Sequence, residues 1–461
     1  MFKNRKKKNI VTILLSAIIL LGIISTYYAY KSCIGNVYCI NFVSSFIPGG
    51  KHNSPQKDED SISILKLYPQ YRETSTIHSA HNSLKAIKFE LPSPHRYGAI
   101  AKFEDTFIFM DAFGKLFIFK EDKNDFKNSQ LLETNSPKLD INKKEFDKMH
   151  DNETLNQAFA VKGLTVFKKN KKNYIISSTL KFDVQNNCHT ISLFKSEAFY
   201  IEGSFTNSAW KNIYNSSPCL QFRHGDKTVP GAVYNTVSSG GKVQQYDNNN
   251  VLLTIGDLEN NGVSSPDLVQ DKSNSYGKII KINIFNKNNK IFSIGHRNPQ
   301  GLYINKNKVV FETEHGPHGG DEVNIIKEDK NYGWPLRTFG VNYDIKAHRW
   351  FLDKSDRTHS GFEKPIMSWI PSIAVSNLIQ IQSDHFNYWK NDLIVSSLKD
   401  ASLYRLHLNN LKVITIESIP IGERIRDITE LKNGEIILLT EDQKNWNDPK
   451  SFIILKYFKP Q

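Results

Sequence analysis

Cysteine is scarce, and no two cysteines are spaced as a CxxC pair: Cys33, Cys39, Cys188 and Cys219 are the four in 461 residues. That spacing argues against a zinc site. The even count permits disulfides in a compartment outside the cytoplasm, with the pairing left open, and four buried or free thiols are the equal alternative. Helical periodicity is almost absent from Tyr97 onward. There is no basic stripe with interleaved aromatics and no nucleic-acid motif, although the formal net charge is +13. A surplus dispersed over Lys-Asn stretches reads as a solvated surface, so nucleic acid is not an expected partner. Acidic residues are missing from residues 1–31, and charge of either sign from Ile10 to Tyr30.

That charge-free run is long enough to cross a ~30 Å hydrocarbon core as a helix. Lys3, Arg5, Lys6, Lys7 and Lys8 precede it, which places the N-terminus in the cytoplasm by the positive-inside rule. Tyr27, Tyr28 and Tyr30 fall where an interfacial aromatic belt would lie. A cleaved signal peptide shares the charged start and apolar middle, but no clear small-x-small cleavage site follows. The expectation is therefore one N-terminal transmembrane anchor over residues 1–31, with the body in the periplasm or outside the cell. Residues 32–75 read as a tether, because Pro48-Gly49-Gly50 and the polar run Lys51 to Asp60 bury too little surface to fold alone.

From residue 76 to 461 the pattern is strand, turn, strand. Apolar triplets recur at Phe107-Ile108-Phe109, Tyr174-Ile175-Ile176, Val251-Leu252-Leu253, Val309-Val310-Phe311, Leu393-Ile394-Val395 and Ile436-Ile437-Leu438. Several follow a polar hairpin turn and end in an acidic loop, as in DNNNVLLTIGD, NKNKVVFETEHG and KNGEIILLTED. Six copies of one supersecondary unit predict an all-β six-bladed propeller, with a two-sheet sandwich as the alternative. The polar segment from Glu121 to Asn156 reads as an insertion or inter-blade loop, and Ser196 to Pro218 as irregular.

The densest stretch runs from Ile294 to Pro335. It sets an Arg-Asn-Pro corner, a Gly-Pro turn and a Gly-Gly turn around one short apolar strand. Arg297 offers a planar fork of donors suited to oxyanions. Gly316 and Pro317 can turn carbonyls outward, with Glu314, Asp321 and Glu322 nearby, and such oxygens are what calcium takes. The stretch suggests an anionic ligand beside a hard cation; the plainer alternative is a salt-bridged turn.

GHRNPQGL at Gly295–Leu302, EHGPHGGDEVN at Glu314–Asn324 and NYGWP at Asn331–Pro335 together resemble the soluble glucose and sorbosone dehydrogenase family. Its members are six-bladed propellers that use pyrroloquinoline quinone (PQQ) and calcium. The resemblance is strongest from Tyr234 to Thr440 and extends from Gly98. It implies that Arg297 and Asn298 contact the quinone and that the carbonyls of Gly316 and Pro317 bind calcium. It further implies that Lys399 holds a quinone carboxylate, that Arg424 and Arg426 grip the cofactor, and that Ser372 supplies a hydroxyl. PQQ is a planar tricarboxylate, so several converging cations suit it.

One position departs. The family has a catalytic histidine where this chain has Ser238, ahead of the strand that ends in Gly256-Asp257. Serine is no base near neutral pH without a partner to take its proton. Asp257, the family's partner carboxylate, remains, and His224 is a second possible base. Two function classes follow. The first is a PQQ- and calcium-dependent dehydrogenase of a sugar or polyol, with an unidentified electron acceptor. The second is a non-catalytic propeller that binds a sugar, a quinone or a protein.

Overall fold

The computed structural model of the chain describes residues 70–80, 82–91, 97–149, 159–201, 204–221, 238–260, 267–341, 359–386, 388–441 and 451–458. The expected anchor at Ile10–Tyr30, most of the tether, Cys33, Cys39 and His224 lie outside these residues. Among the described residues no helix is long and apolar enough to cross a membrane.

Two strands come first, β1 (Gln70–His78) and β2 (Ser83–Glu90). Blade one follows as β3 (Ala99–Phe103), β4 (Thr106–Met110), β5 (Leu116–Lys120) and β6 (Gln130–Glu133). Blade two holds β7 (Val161–Lys169), β8 (Lys172–Asp183) and β9 (Cys188–Ile201), with β10 (Ser204–Asn207), β11 (Lys211–Asn215) and β12 (Leu220–Gln221) all pairing with β9. Blade three is β13 (Gly240–Gln245), β14 (Asn250–Ile255), β15 (Lys278–Asn283) and β16 (Asn289–Ile294). Blade four is β17 (Pro299–Ile304), β18 (Val310–Glu314) and β19 (Asp321–Ile326); after it β20 (Lys330–Asn331) returns to pair with β16, and β21 (Met367–Trp369) completes blade four. Blade five is β22 (Val375–Gln380), β23 (Leu393–Ser397), β24 (Ser402–Asn409) and β25 (Lys412–Pro420). Blade six joins β26 (Arg424–Glu430), β27 (Ile436–Glu441) and β28 (Ser451–Phe458) to β2 and β1.

The first strands of the blades touch in sequence, β3 to β7 to β13 to β17 to β22 to β26 and back to β3, which closes a ring of six around a central channel. Each apolar triplet of the sequence lies on the second strand of its blade, except that Val309 immediately precedes β18. The hairpins entering them are fixed by side chains that accept from their own turn. Asp247 Oδ1 accepts from the backbone of Asn249 and Asn250, and Asn305 Oδ1 from Asn307 and Val309. Such turns favour Asn and Asp because the short side chain mimics a backbone acceptor.

Closure pairs β2 with β28. Phe89 of β2 stacks on Phe452 of β28 at 4.9 Å, and Phe107 of blade one meets Phe452 edge-on at 5.4 Å. Burying each ring contributes about 1.5–3 kcal/mol. Replacing Phe452 by Ala would cost about 3–5 kcal/mol and open the seam.

Three expectations are corrected. The propeller begins at Gln70, ahead of residue 76, because β1 pairs with β2 along its length. The stretch from Glu121 to Asn156 supplies β6, the outer strand of blade one, and a short helix, α1 (Lys143–Met149). The stretch from Ser196 to Pro218 is mostly strand, held by pairing with β9. Cys188 and Cys219 form a disulfide at the start of β9, so the described cysteines are not free thiols.

Candidate active site

Asp257 sits just past β14, where the chain turns sharply. Leu258 and Glu259 both have positive φ, at 47° and 64°. The turn points the Asp257 carboxylate back into the protein, where it is 1% exposed. Its Oδ2 accepts from the Trp334 indole at 2.9 Å and its Oδ1 from the Glu259 N–H at 2.8 Å. Burial pushes its pKa up to about 6; the Arg297 charge, the Glu259 N–H and the Trp334 indole hold it from rising further. Ser238 lies against the same corner, its carbonyl accepting from Leu258 at 3.1 Å.

Arg297 and Asn298 lead into β17. The Arg297 guanidinium lies 5.5 Å over the Trp334 ring and donates through Nη1 to the carbonyls of His315 (3.3 Å) and Gly316 (2.8 Å). Asn298 Oδ1 accepts from Gly240 at 3.3 Å and from Gln300 at 2.7 Å, tying blade three to blade four. Gly316 opens the Gly-Pro turn, and a Cβ there would run into the backbone of Gly319 and Gly320. Its N–H donates to Asp321 Oδ1 at 3.2 Å, while Asp321 Oδ2 accepts from Ser372 Oγ at 2.7 Å.

The contacts continue around the ring. Lys399 donates to the Ser372 carbonyl at 3.0 Å, and Arg424 Nη1 to the Leu398 carbonyl at 3.3 Å. Arg426 makes two bonds of 3.0 Å to Glu441, and Arg424 Nε lies 3.9 Å from the same carboxylate. Arg426 and Lys162 also lie against the Tyr97 ring, at 4.8 and 3.7 Å. Burial and the Arg426 charge lower the Arg424 pKa. Two guanidiniums sharing one carboxylate leave an excess of positive charge.

Ser238, Asp257, Arg297, Asn298, Gly316, Pro317, Ser372, Lys399, Arg424 and Arg426 thus fall on neighbouring loops and strand starts at one end of the channel. Further along the inner strands, Lys242 pairs with Asp427 at 2.8 Å, and Asp427 also accepts from Asn377 and Ile100. This plug lines a cavity of about 480 Å³ bounded by Lys102, Tyr303 and Glu430 of the inner strands.

The carboxylates expected to supply oxygens to a cation are used within blade four. Asn324 Nδ2 donates to Glu312, Glu314 and Glu322 at 3.1–3.3 Å, and Glu314 also accepts from the Arg297 N–H at 2.6 Å. Burial and the Glu314 charge push Glu312 well above the usual carboxylate range. Sequence reasoning quoted NYGWP but did not place Trp334 in the site, and it passed over Glu441. Only the fold shows that the indole reaches Asp257 and that Glu441 lies between two arginines.

Residues 228–447 match the Glucose / Sorbosone dehydrogenase family. The chain is 37% identical over 155 residues to aldose sugar dehydrogenase YliI of Escherichia coli (strain K12), a match covering 33% of this chain and 41% of that protein. It is 23% identical over 331 residues to quinoprotein glucose dehydrogenase B of Acinetobacter calcoaceticus, covering 53% of this chain and 69% of that protein. The first match thus spans less than half of its relative's length. The fold is similar to that of the PQQ-bound aldose sugar dehydrogenase from Streptomyces coelicolor, with a TM-score of 0.54, 14% identity and coverage of 85% of this chain and 100% of that one. The likeness to the Glucose / Sorbosone dehydrogenase family is thus carried by residues 228–447, a little under half of the chain.

Proposed function

We propose that this protein is a PQQ- and calcium-dependent dehydrogenase that oxidises a sugar or polyol on the outer side of a membrane. The observation that carries the reading is the cationic ring beside a buried, high-pKa carboxylate. Arg297, Lys399, Arg424 and Arg426 face one channel end, where Glu441 is shared by two of them. That surplus fits a planar tricarboxylate, because charge-assisted bonds need anions to complete them. The Gly316 carbonyl already accepts from a guanidinium, so it is directed at a cation position, and backbone oxygens suit calcium. Gly316 and Pro317 would hold the metal.

Bound PQQ supplies the two-electron acceptor, activated by calcium. The chain's own part is to hold the hydroxyl carbon and take the hydroxyl proton. Asp257 is the base: with a pKa near 6 it is ionised at neutral pH and still basic enough to accept a proton. Each of its oxygens receives one donor, which leaves each a lone pair. Ser238 orients the corner through its carbonyl and takes no proton. The Cys188–Cys219 disulfide supports a location outside the cytoplasm.

The occurrence of Ser238 at the family's histidine position favours a second reading, a propeller that binds without catalysis. Purified full-length chain, loaded with PQQ and calcium and assayed for dye reduction with a panel of aldoses and polyols, separates the two. Sugar-dependent reduction is expected. Stoichiometric PQQ binding without reduction on any substrate would overturn catalysis and leave the binding reading.

A further inference from the structure

Behind Asp257 lies a cation that the proposed chemistry does not use. Lys278, the first residue of β15, has a fully buried side chain. Its ammonium donates to the carbonyls of Tyr276 (2.5 Å), Leu268 (2.7 Å) and Val269 (3.0 Å) and to Asn274 Oδ1 (3.2 Å). Among the described residues it has no carboxylate within ion-pair distance. Four oxygens around three protons form a cage such as a bound metal would make, and all four come from one loop, residues 267–276. Without the cation these oxygens would be drawn together with nothing to offset their repulsion.

The caged loop reaches Asp257 from two sides. On one side, Gln270 Nε2 donates to the Trp334 carbonyl at 2.5 Å, and Asn331 Nδ2 donates to Gln270 Oε1 at 2.7 Å. These bonds fix the backbone of the residue whose indole donates to Asp257. On the other side, Leu268 donates to the Asn260 carbonyl at 3.0 Å, and Asn260 to the Asp257 carbonyl at 2.8 Å. Gly277 completes the seat. Its φ is +68°, its N–H donates to Gly256, and a Cβ there would collide with the Val269 side chain and the His296 carbonyl.

We propose that Lys278 and Gln270 are positioning residues for Asp257: the ammonium folds the 267–276 loop, and the loop sets the Trp334 indole on the carboxylate. The proposal rests on Asp257 being the base. Lys278 itself touches neither the carboxylate nor the channel. The charged groups that act on Asp257 are Arg297 and Glu259, and those that act on Lys278 are Asp271 and Asp267. Loosening the indole leaves Arg297 and Glu259 in place and removes one donor to the ionised carboxylate, so the Asp257 pKa rises.

The test uses the full chain without added cofactor, labelled with 15N-tryptophan. The Trp334 Nε1–H resonance is assigned by its loss in Trp334→Phe and followed against pH. In the wild type it titrates with a midpoint near 6, reporting Asp257. Gln270→Ala and Lys278→Met each move that midpoint upward by about half a pH unit or more. Gln270 is only partly buried, so Gln270→Ala decides the matter if Lys278→Met does not fold. A wild-type titration that neither folded variant moves overturns the positioning role and leaves Asp257 as the base. A Trp334 signal that does not titrate in the wild type overturns the base assignment, and the positioning role with it.

Discussion

The indole of Trp334 and the carboxylate of Asp257 meet in a 2.9 Å hydrogen bond that joins the end of β14 to the segment after β20. The same indole ring lies under the Arg297 guanidinium. One aromatic side chain therefore holds the proposed base by its edge and a proposed cofactor-binding cation by its face. Trp334→Phe keeps the apolar ring and removes the donor. It should shift the acid limb of kcat/KM upward by about one pH unit, since a bond to a charged group is worth about 1.5–3 kcal/mol. A pH–rate profile identical to the wild type would show that the indole does not tune the base.

Asp257 also makes the fold sensitive to pH. Its folded pKa of about 6 lies above the ordinary 3.8, so the folded state binds the proton more tightly than the unfolded state. That contribution to stability is full below the ordinary value and is lost as pH rises through about 6. The difference amounts to roughly 3 kcal/mol. Asp257→Asn should therefore be more stable than the wild type at about pH 8, and lose that advantage at about pH 4, while dehydrogenase activity disappears. Thermal melts at both pH values test this; no gain at the higher pH contradicts the buried-carboxylate account.

The cationic ring divides into exposed and structural members. Lys399 is exposed and bonds only a carbonyl among the described residues, so Lys399→Ala should weaken PQQ binding roughly ten- to hundredfold with an unchanged melting temperature. Arg426→Ala removes two 3.0 Å bonds from a Glu441 carboxylate that is 4% exposed, which should cost about 3–5 kcal/mol of stability as well as affinity. Calorimetric PQQ titrations beside thermal melts separate the two effects. Equal stability loss in both variants would show that the division is wrong.

Much of this was legible in residue order. The six apolar triplets marked the second strand of every blade because a buried central strand must be apolar on both faces. The Arg-Asn-Pro and Gly-Pro motifs pointed to the candidate site because each is a run of adjacent residues, readable in one dimension. The closure of blade six was not legible: Phe89 and Phe452 are neighbours only once β2 pairs with β28. Trp334 escaped for a similar reason, since it is 77 residues from the carboxylate it serves. The strands from Ser196 to Pro218 read as irregular because two short segments, β10 and β11, share one long partner, β9, and neither carries a strand pattern of its own.

Calcium is expected at the carbonyls of Gly316 and Pro317, where Arg297 now donates to Gly316. Chelator treatment of the PQQ-loaded chain should abolish dye reduction, and calcium should restore it. Full activity after exhaustive chelation would remove calcium from the account.

Ser238 limits the rate if a second base is needed. Ser238→His would stand beside Asp257, which could fix its tautomer and stabilise its cation. A general base contributes about 10²–10⁴ in rate, and at least about tenfold should be recovered here. An unchanged turnover would mean that Asp257 alone suffices at this corner.

The most direct test is the pH dependence of PQQ-dependent sugar oxidation by the full-length chain, measured beside Asp257→Asn. The account predicts a rate that rises with pH through a midpoint near 6 and vanishes in Asp257→Asn while PQQ stays bound. Bound PQQ with no sugar-dependent rate at any pH, or an active Asp257→Asn, would contradict it.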